Sequence, residues 1–170
     1  MISHVTYTYM QDGVLKGAPC FLIHLTDGVG AEEDELINAI LKIRDFKAPG
    51  CKLVFLSGKF TLESQDFIFM MIKSLTDAGY TIACRTNGKL FFSWMPMVKF
   101  NSVQPVGSWL GFKASEFIWN TGLGKPQLPP DYEQGTALFI EGDDMLKFSQ
   151  DSPLLWRFWG QPTLYTKVSG

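Results

Sequence analysis

Three short apolar runs, CFLIHL at 20–25, KLVFL at 52–56 and YTIACR at 80–85, are separated by two stretches with helical periodicity. This alternation limits the possible folds more than any other feature of the chain. In the first intervening stretch Leu36, Ile37, Ile40, Leu41 and Ile43 recur at helical spacing. Glu32, Glu33, Asp34 and Glu35 suit the positive end of that helix, and Lys42 and Arg44 suit its negative end. In the second, over about 62–78, Phe67, Ile68, Met71, Ile72 and Leu75 share one face, and Gly79 closes the helix. Strand, helix, strand, helix, strand argues a parallel sheet with right-handed crossovers, an α/β fold.

After Gly88 the pattern is weaker. Residues 98–103 and 136–140 read as further strands, 121–135 as a loop rich in Gly and Pro, and 143–148 as a short helical piece. No internal repeat or long linker divides the chain, and 170 residues suffice for one cored domain, 1–170. A net charge of −2 supplies no general field for nucleic acid, so nucleic acid is not an expected partner. Cys20, Cys51 and Cys84 form no CxxC pair and read as buried, reduced thiols. No signal peptide opens the sequence and no apolar run reaches membrane-spanning length, so a cytoplasmic protein away from the membrane is expected.

The loop SGKFTLES at 57–64 lies at a strand-to-helix turn, where α/β proteins commonly hold ligands. It lacks the glycine spacing of a phosphate loop, and no GxSxG elbow accompanies it, so Ser57 reads as a turn-capping hydroxyl. His24 is either a general base or metal ligand near Asp12 or Asp27, or a hydrogen-bonded histidine at a strand end. With only His4 and His24 present, no facial metal triad has a visible spacing. Glu141, Asp143 and Asp144 lack calcium-loop spacing and read as a solvated turn. The aromatic segments FFSWMPMVKF and LLWRFWGQP are either core or an exposed patch with Trp94, Trp156, Arg157 and Trp159 as protein-contact anchors.

Three stretches in order resemble the 7-carboxy-7-deazaguanine synthases, radical S-adenosylmethionine enzymes of the queuosine pathway. QDGVLKGAPCFLIHLTDG is similar to that family's opening, with Gly13, Leu15, Gly17, Pro19, Ile23 and Leu25 on its pattern. LVFLSGKFTLESQDFIFMMIKSLTDAGYTIACRTNG resembles its strand, GGEP loop, helix and strand ending in ETNG. WRFWGQPTLY resembles its closing segment. The resemblance implies an open, mostly parallel sheet, a reduced partial (β/α) barrel with its site at the strand C-terminal ends near Thr26, Ser57 and Thr86. It also implies a homodimer.

The departures set the functional expectation. The family's CxxxCxxC cluster motif is missing, and Gly28 stands where its first cysteine would fall. In the loop aligned with GGEP, Ser57 and Gly58 are followed by Lys59, Phe60 and Thr61, a remnant whose lysine would repel a sulfonium cofactor. Asp12, His24 and Thr163 replace the family's glutamate, arginine and histidine, while Thr86, Asn87 and Gln161 remain. The expectation is a radical-SAM-like pseudoenzyme without catalytic residue, cofactor or metal, acting as a protein-binding, regulatory or inhibitory protein. The alternative is a cofactor-independent enzyme or ligand-binding protein with a remodelled purine- or pterin-like pocket contacted by Asp12, His24, Thr86, Asn87 and Gln161. In that reading His24 exchanges protons near neutral pH.

Overall fold

The computed structural model describes residues 2–11, 13–26, 33–48, 50–130, 132, 135–143, 145, 147, 154 and 157–158. Among the described residues, eight strands form one sheet in the order in which they occur along the chain. They are β1 (Ile2–Tyr9), β2 (Pro19–Leu25), β3 (Leu53–Gly58), β4 (Thr81–Thr86), β5 (Phe100–Val103), β6 (Glu116–Asn120), β7 (Ala137–Glu141) and β8 (Arg157–Phe158). The β1–β2 hairpin is antiparallel, and every later neighbour pairs in parallel. The helices α1 (Glu33–Asp45) and α2 (Gln65–Asp77) link β2 to β3 and β3 to β4. Parallel strands added always on the same side curl a sheet toward a barrel, and here the sheet stays open.

Strand alternation sorts the side chains onto two faces. Phe21, Ile23 and Leu25 of β2, Val54 and Leu56 of β3, and Ile82 and Cys84 of β4 are buried together with Ile68, Met71, Ile72 and Leu75 of α2. The helical spacing read from 62–78 is therefore the packed face. In α1 only part of the expected stripe points inward: Ile43 is buried and Ile40 packs against the core, whereas Ile37 and Leu41 are exposed. A helix laid beside the edge strand β1 has sheet on one flank only, which narrows its buried stripe. Beyond β4, loops rather than helices cover this side: Trp109, Phe117, Trp119, Leu138 and Ile140 cluster there. The indole nitrogens of Trp109 and Trp119 donate to the carbonyls of Gln127 and Gly124 at 2.9 and 2.8 Å, fastening the covering loop.

The expected strands at 98–103 and 136–140 appear as β5 and β7. β1 and β6 carry no strand expectation from sequence. β1 (ISHVTYTY) dilutes its alternation with Ser, His and Thr, and β6 (EFIWN) is too short to announce itself. Of the expected helical piece at 143–148, Met145 and Lys147 are helical and residues 144, 146 and 148 lie outside the described residues, as do Asp12, Trp156, Trp159, Gln161 and the side chain of Arg157. No helix among the described residues is long and apolar enough to cross a membrane.

Candidate functional site

On the face away from α1 and α2, one row of polar side chains crosses six strands. His4 pairs with His24, and His24 with Ser57. One step beyond the Leu56–Cys84 pair stand Ser57 and Arg85. Arg85 is in register with Ser102, and Ser102 with Glu116. Beneath this row lies an apolar one in which Cys20, Phe55 and Ala83 pack with Leu22, Phe100 and the hairpin residues Met10 and Leu15.

Glu116 is only 2% exposed, and a buried carboxylate needs donors. The hydroxyl of Ser102 donates to Oε1 at 2.7 Å, and the backbone N–H of Val14 donates to Oε2 at 2.7 Å. Arg85 donates through Nε to the Ser102 hydroxyl at 3.4 Å and keeps Nη2 4.0 Å from Glu116, with its guanidinium over the Phe55 ring. The hairpin tip can reach the carboxylate because Gly13, at φ +73°, has no Cβ; one placed there would collide with Glu116. At the other end of the row, His24 Nδ1 is hydrogen-bonded to Ser57 Oγ at 3.0 Å, and His4 stacks on the His24 ring. Ser57 is thus a partner for histidine rather than only a turn cap.

A second feature lies at the C-terminal ends of β3 and β4. Gly58 adopts φ +102°, and the N–H of Lys59 returns to the Leu25 carbonyl at 3.0 Å. The following loop borders a cleft of about 570 Å³ lined by Lys59, Phe60, Leu62, Asn87, Lys89 and Phe92, among others. The Phe60 ring turns into the aromatic cluster, 5.3 Å from Trp94 and 6.2 Å from Phe92. Thr86 and Asn87 line the same cleft, but their side-chain oxygens accept from the N–H groups of Gly88 and Lys89 and so serve the turn. Thr61 and Ser64 bond reciprocally at the start of α2. The Glu63 carboxyl is held below its ordinary range by its own backbone N–H and by the Thr61 side chain.

The structure therefore divides the expected contacts. His24 and Ser57 share the helix-free face, whereas Gly58, Lys59, Phe60, Thr86 and Asn87 surround the cleft. Trp94, a candidate surface anchor, is completely buried and stacked on Phe92 at 5.1 Å. It belongs to the core and offers a partner no surface; its indole N–H has no acceptor. Sequence reasoning passed over Arg85, Ser102 and Glu116 as site residues. A charged residue at the head of the apolar run in β6 was the available signal, but only register joins it to Arg85.

The three cysteines lie on both sides of the sheet, with Cys51 near enough to Cys20 to add to the effect of burial on its thiol. Cys84 and Cys51 belong to the helix-side core and Cys20 to the opposite apolar row. Burial pushes the Cys20 thiol from 9.0 up to about 11 and the Cys84 thiol to about 12. A folded state that holds these protons more tightly than the unfolded chain has the associated stability in full below pH 9.0 and loses it as pH rises through about 11 and 12. We expect the urea midpoint to fall as pH is raised past the ordinary thiol range. At neutral pH a thiol reagent should label the folded protein far more slowly than the unfolded chain; equal rates would contradict this burial.

No protein-family model matches the sequence, and no curated protein matches it. The fold has a solved counterpart. The chain is similar in structure to QueE from Escherichia coli, with a TM-score of 0.58 and 15% identity over 96% of this chain and 93% of that one. QueE is a 7-carboxy-7-deazaguanine synthase, and the relationship to it is a distant structural one. The likeness shows a shared radical-SAM-like α/β fold with an open, mostly parallel sheet. An iron–sulfur cluster of the kind that fold family carries needs converging thiolates. The three thiols here are distributed over both faces of the sheet, and burial holds two of them protonated, so these residues do not fit that group.

Proposed function

We propose that the protein is a non-catalytic, radical-SAM-like pseudoenzyme that acts by binding, with the strand C-terminal rim as its ligand site. The observation that carries this reading is the loop after β3. At the position that the resemblance aligns with an amine-binding glutamate, Phe60 packs into an aromatic cluster. Lys59 beside it lines a cleft large enough for a small organic ligand. A cationic sulfonium cofactor would meet the ammonium group of Lys59 there, with no carboxylate from position 60 to take its amine. Anaerobic purification followed by iron and sulfide reconstitution tests the proposal. The expected result is substoichiometric iron and no reductive cleavage of S-adenosylmethionine; stoichiometric iron with cleavage would overturn it.

A second reading, a regulatory or inhibitory contact with another protein, is favoured by the apolar rim of the same cleft, where Leu62 and Leu90 are 58% and 36% exposed. Both changed to serine should abolish such a contact. A stoichiometric partner that survives the double change would place the contact elsewhere.

A further inference from the structure

We infer that His4 and His24 form a two-histidine site for a divalent transition cation that accepts imidazole nitrogen, Zn²⁺ or Cu²⁺. The site lies on the helix-free face beside the edge strand β1, and neither histidine is among the residues lining the cleft. The inference is therefore independent of what the cleft binds. Sequence offered Asp12 or Asp27 as companions for His24; the register of β1 on β2 supplies His4 instead.

The separation of the rings suits one ion. His4 and His24 stand directly opposite each other, with ring centroids 5.2 Å apart. Two imidazole nitrogens at about 2.0–2.1 Å from one tetrahedral ion put their ring centres about 5 Å apart. Binding then asks the rings to rotate and leaves the backbone where it is. The hydroxyls around the pair select the nitrogen. Ser3 donates its hydroxyl proton to the His24 carbonyl at 3.0 Å, so toward His4 Nδ1, also 3.0 Å away, its oxygen accepts. Neutral His4 thus carries its proton on Nδ1 and keeps a bare lone pair on Nε2. His24 Nδ1 is engaged by Ser57 Oγ at 3.0 Å, which again leaves Nε2 for a ligand. Among the described residues neither Nε2 has a hydrogen-bond partner, and His4 is exposed.

Among the described residues no third histidine, cysteine or carboxylate joins the pair, so water takes the other positions on the ion. Mg²⁺, which seeks oxygen ligands, finds no carboxylate there, whereas Zn²⁺ and Cu²⁺ accept imidazole, copper the more tightly. An ion held by both rings would clasp β1 to β2.

Calorimetric titration of the untagged full chain with Zn²⁺, Cu²⁺ and Mg²⁺, together with NMR of the histidine rings and the amides, tests this. One Zn²⁺ or Cu²⁺ per chain is expected, with copper tighter and no detectable Mg²⁺. Shifts should concentrate at Ser3, His4, His24 and Ser57, and amide exchange along β1 should slow. Because His4 is exposed, His4→Gln leaves the fold intact. It should weaken Zn²⁺ about a hundredfold, and Ser3→Ala, which removes only the acceptor for Nδ1–H, about tenfold. His24→Gln should match His4→Gln. No heat with Zn²⁺ or Cu²⁺, equal binding of Mg²⁺, an unaffected His4→Gln protein, or shifts centred on other residues would each overturn the inference.

Discussion

Changing Gly58 to alanine is expected to cost about 3 kcal/mol or more and to leave little folded protein if the parent is marginally stable. Two effects combine. A backbone at φ +102° is one that glycine tolerates and alanine does not. In addition, the new methyl would be driven into the carbonyl oxygen of Leu25, its register partner on β2. That oxygen is fixed, because Leu25 is buried and its carbonyl accepts the Lys59 N–H. Relief would require β2 and β3 to separate in the middle of the sheet. Urea denaturation of wild type and Gly58→Ala checks this, and a loss below about 1 kcal/mol would show that the loop relaxes freely.

Glu116→Ala is expected to destabilise the protein by about 3 kcal/mol, since it strands the Val14 N–H and the Ser102 hydroxyl and leaves a hole under the hairpin tip. Arg85, a quarter exposed, can turn to water, so the cost falls mainly on the neutral donors. Glu116→Gln, which keeps an acceptor oxygen for one of them, should recover part of the loss. Hydrogen exchange locates the effect. Amides of residues 10–18 should exchange faster in Glu116→Ala while the buried face of α2 keeps its protection. Unchanged exchange at the hairpin tip would mean that Glu116 does not fasten it.

These two residues mark different degrees of legibility. Gly58 was visible in the sequence as part of a strand-to-helix turn, because an apolar run followed by a helical period forces a turn between them. Its positive φ and its contact with Leu25 required the neighbouring strand. Glu116 was not legible as a site residue, since its importance comes from Ser102 on β5 and Val14 in a hairpin far away in sequence. Trp94 shows the opposite error. Trp is enriched both in cores and at contacts, and composition does not choose between them; the stack on Phe92 and the tilted contact with Phe60 do.

Local periodicity alone determined β2, α1, β3, α2 and β4, because each depends on side chains within one or two turns of each other, and their parallel order follows from the intervening helical crossovers. Register, the faces of the sheet and the cleft were decided only by tertiary structure. A one-residue slip would have sent Arg85 to the helix side and Cys84 to the polar row, and the alternation within YTIACR separates the two sets without saying which elements each set meets. The choice comes from α2, whose apolar face demands Ile82 and Cys84 and leaves Arg85 to the open face with Ser102 and Glu116.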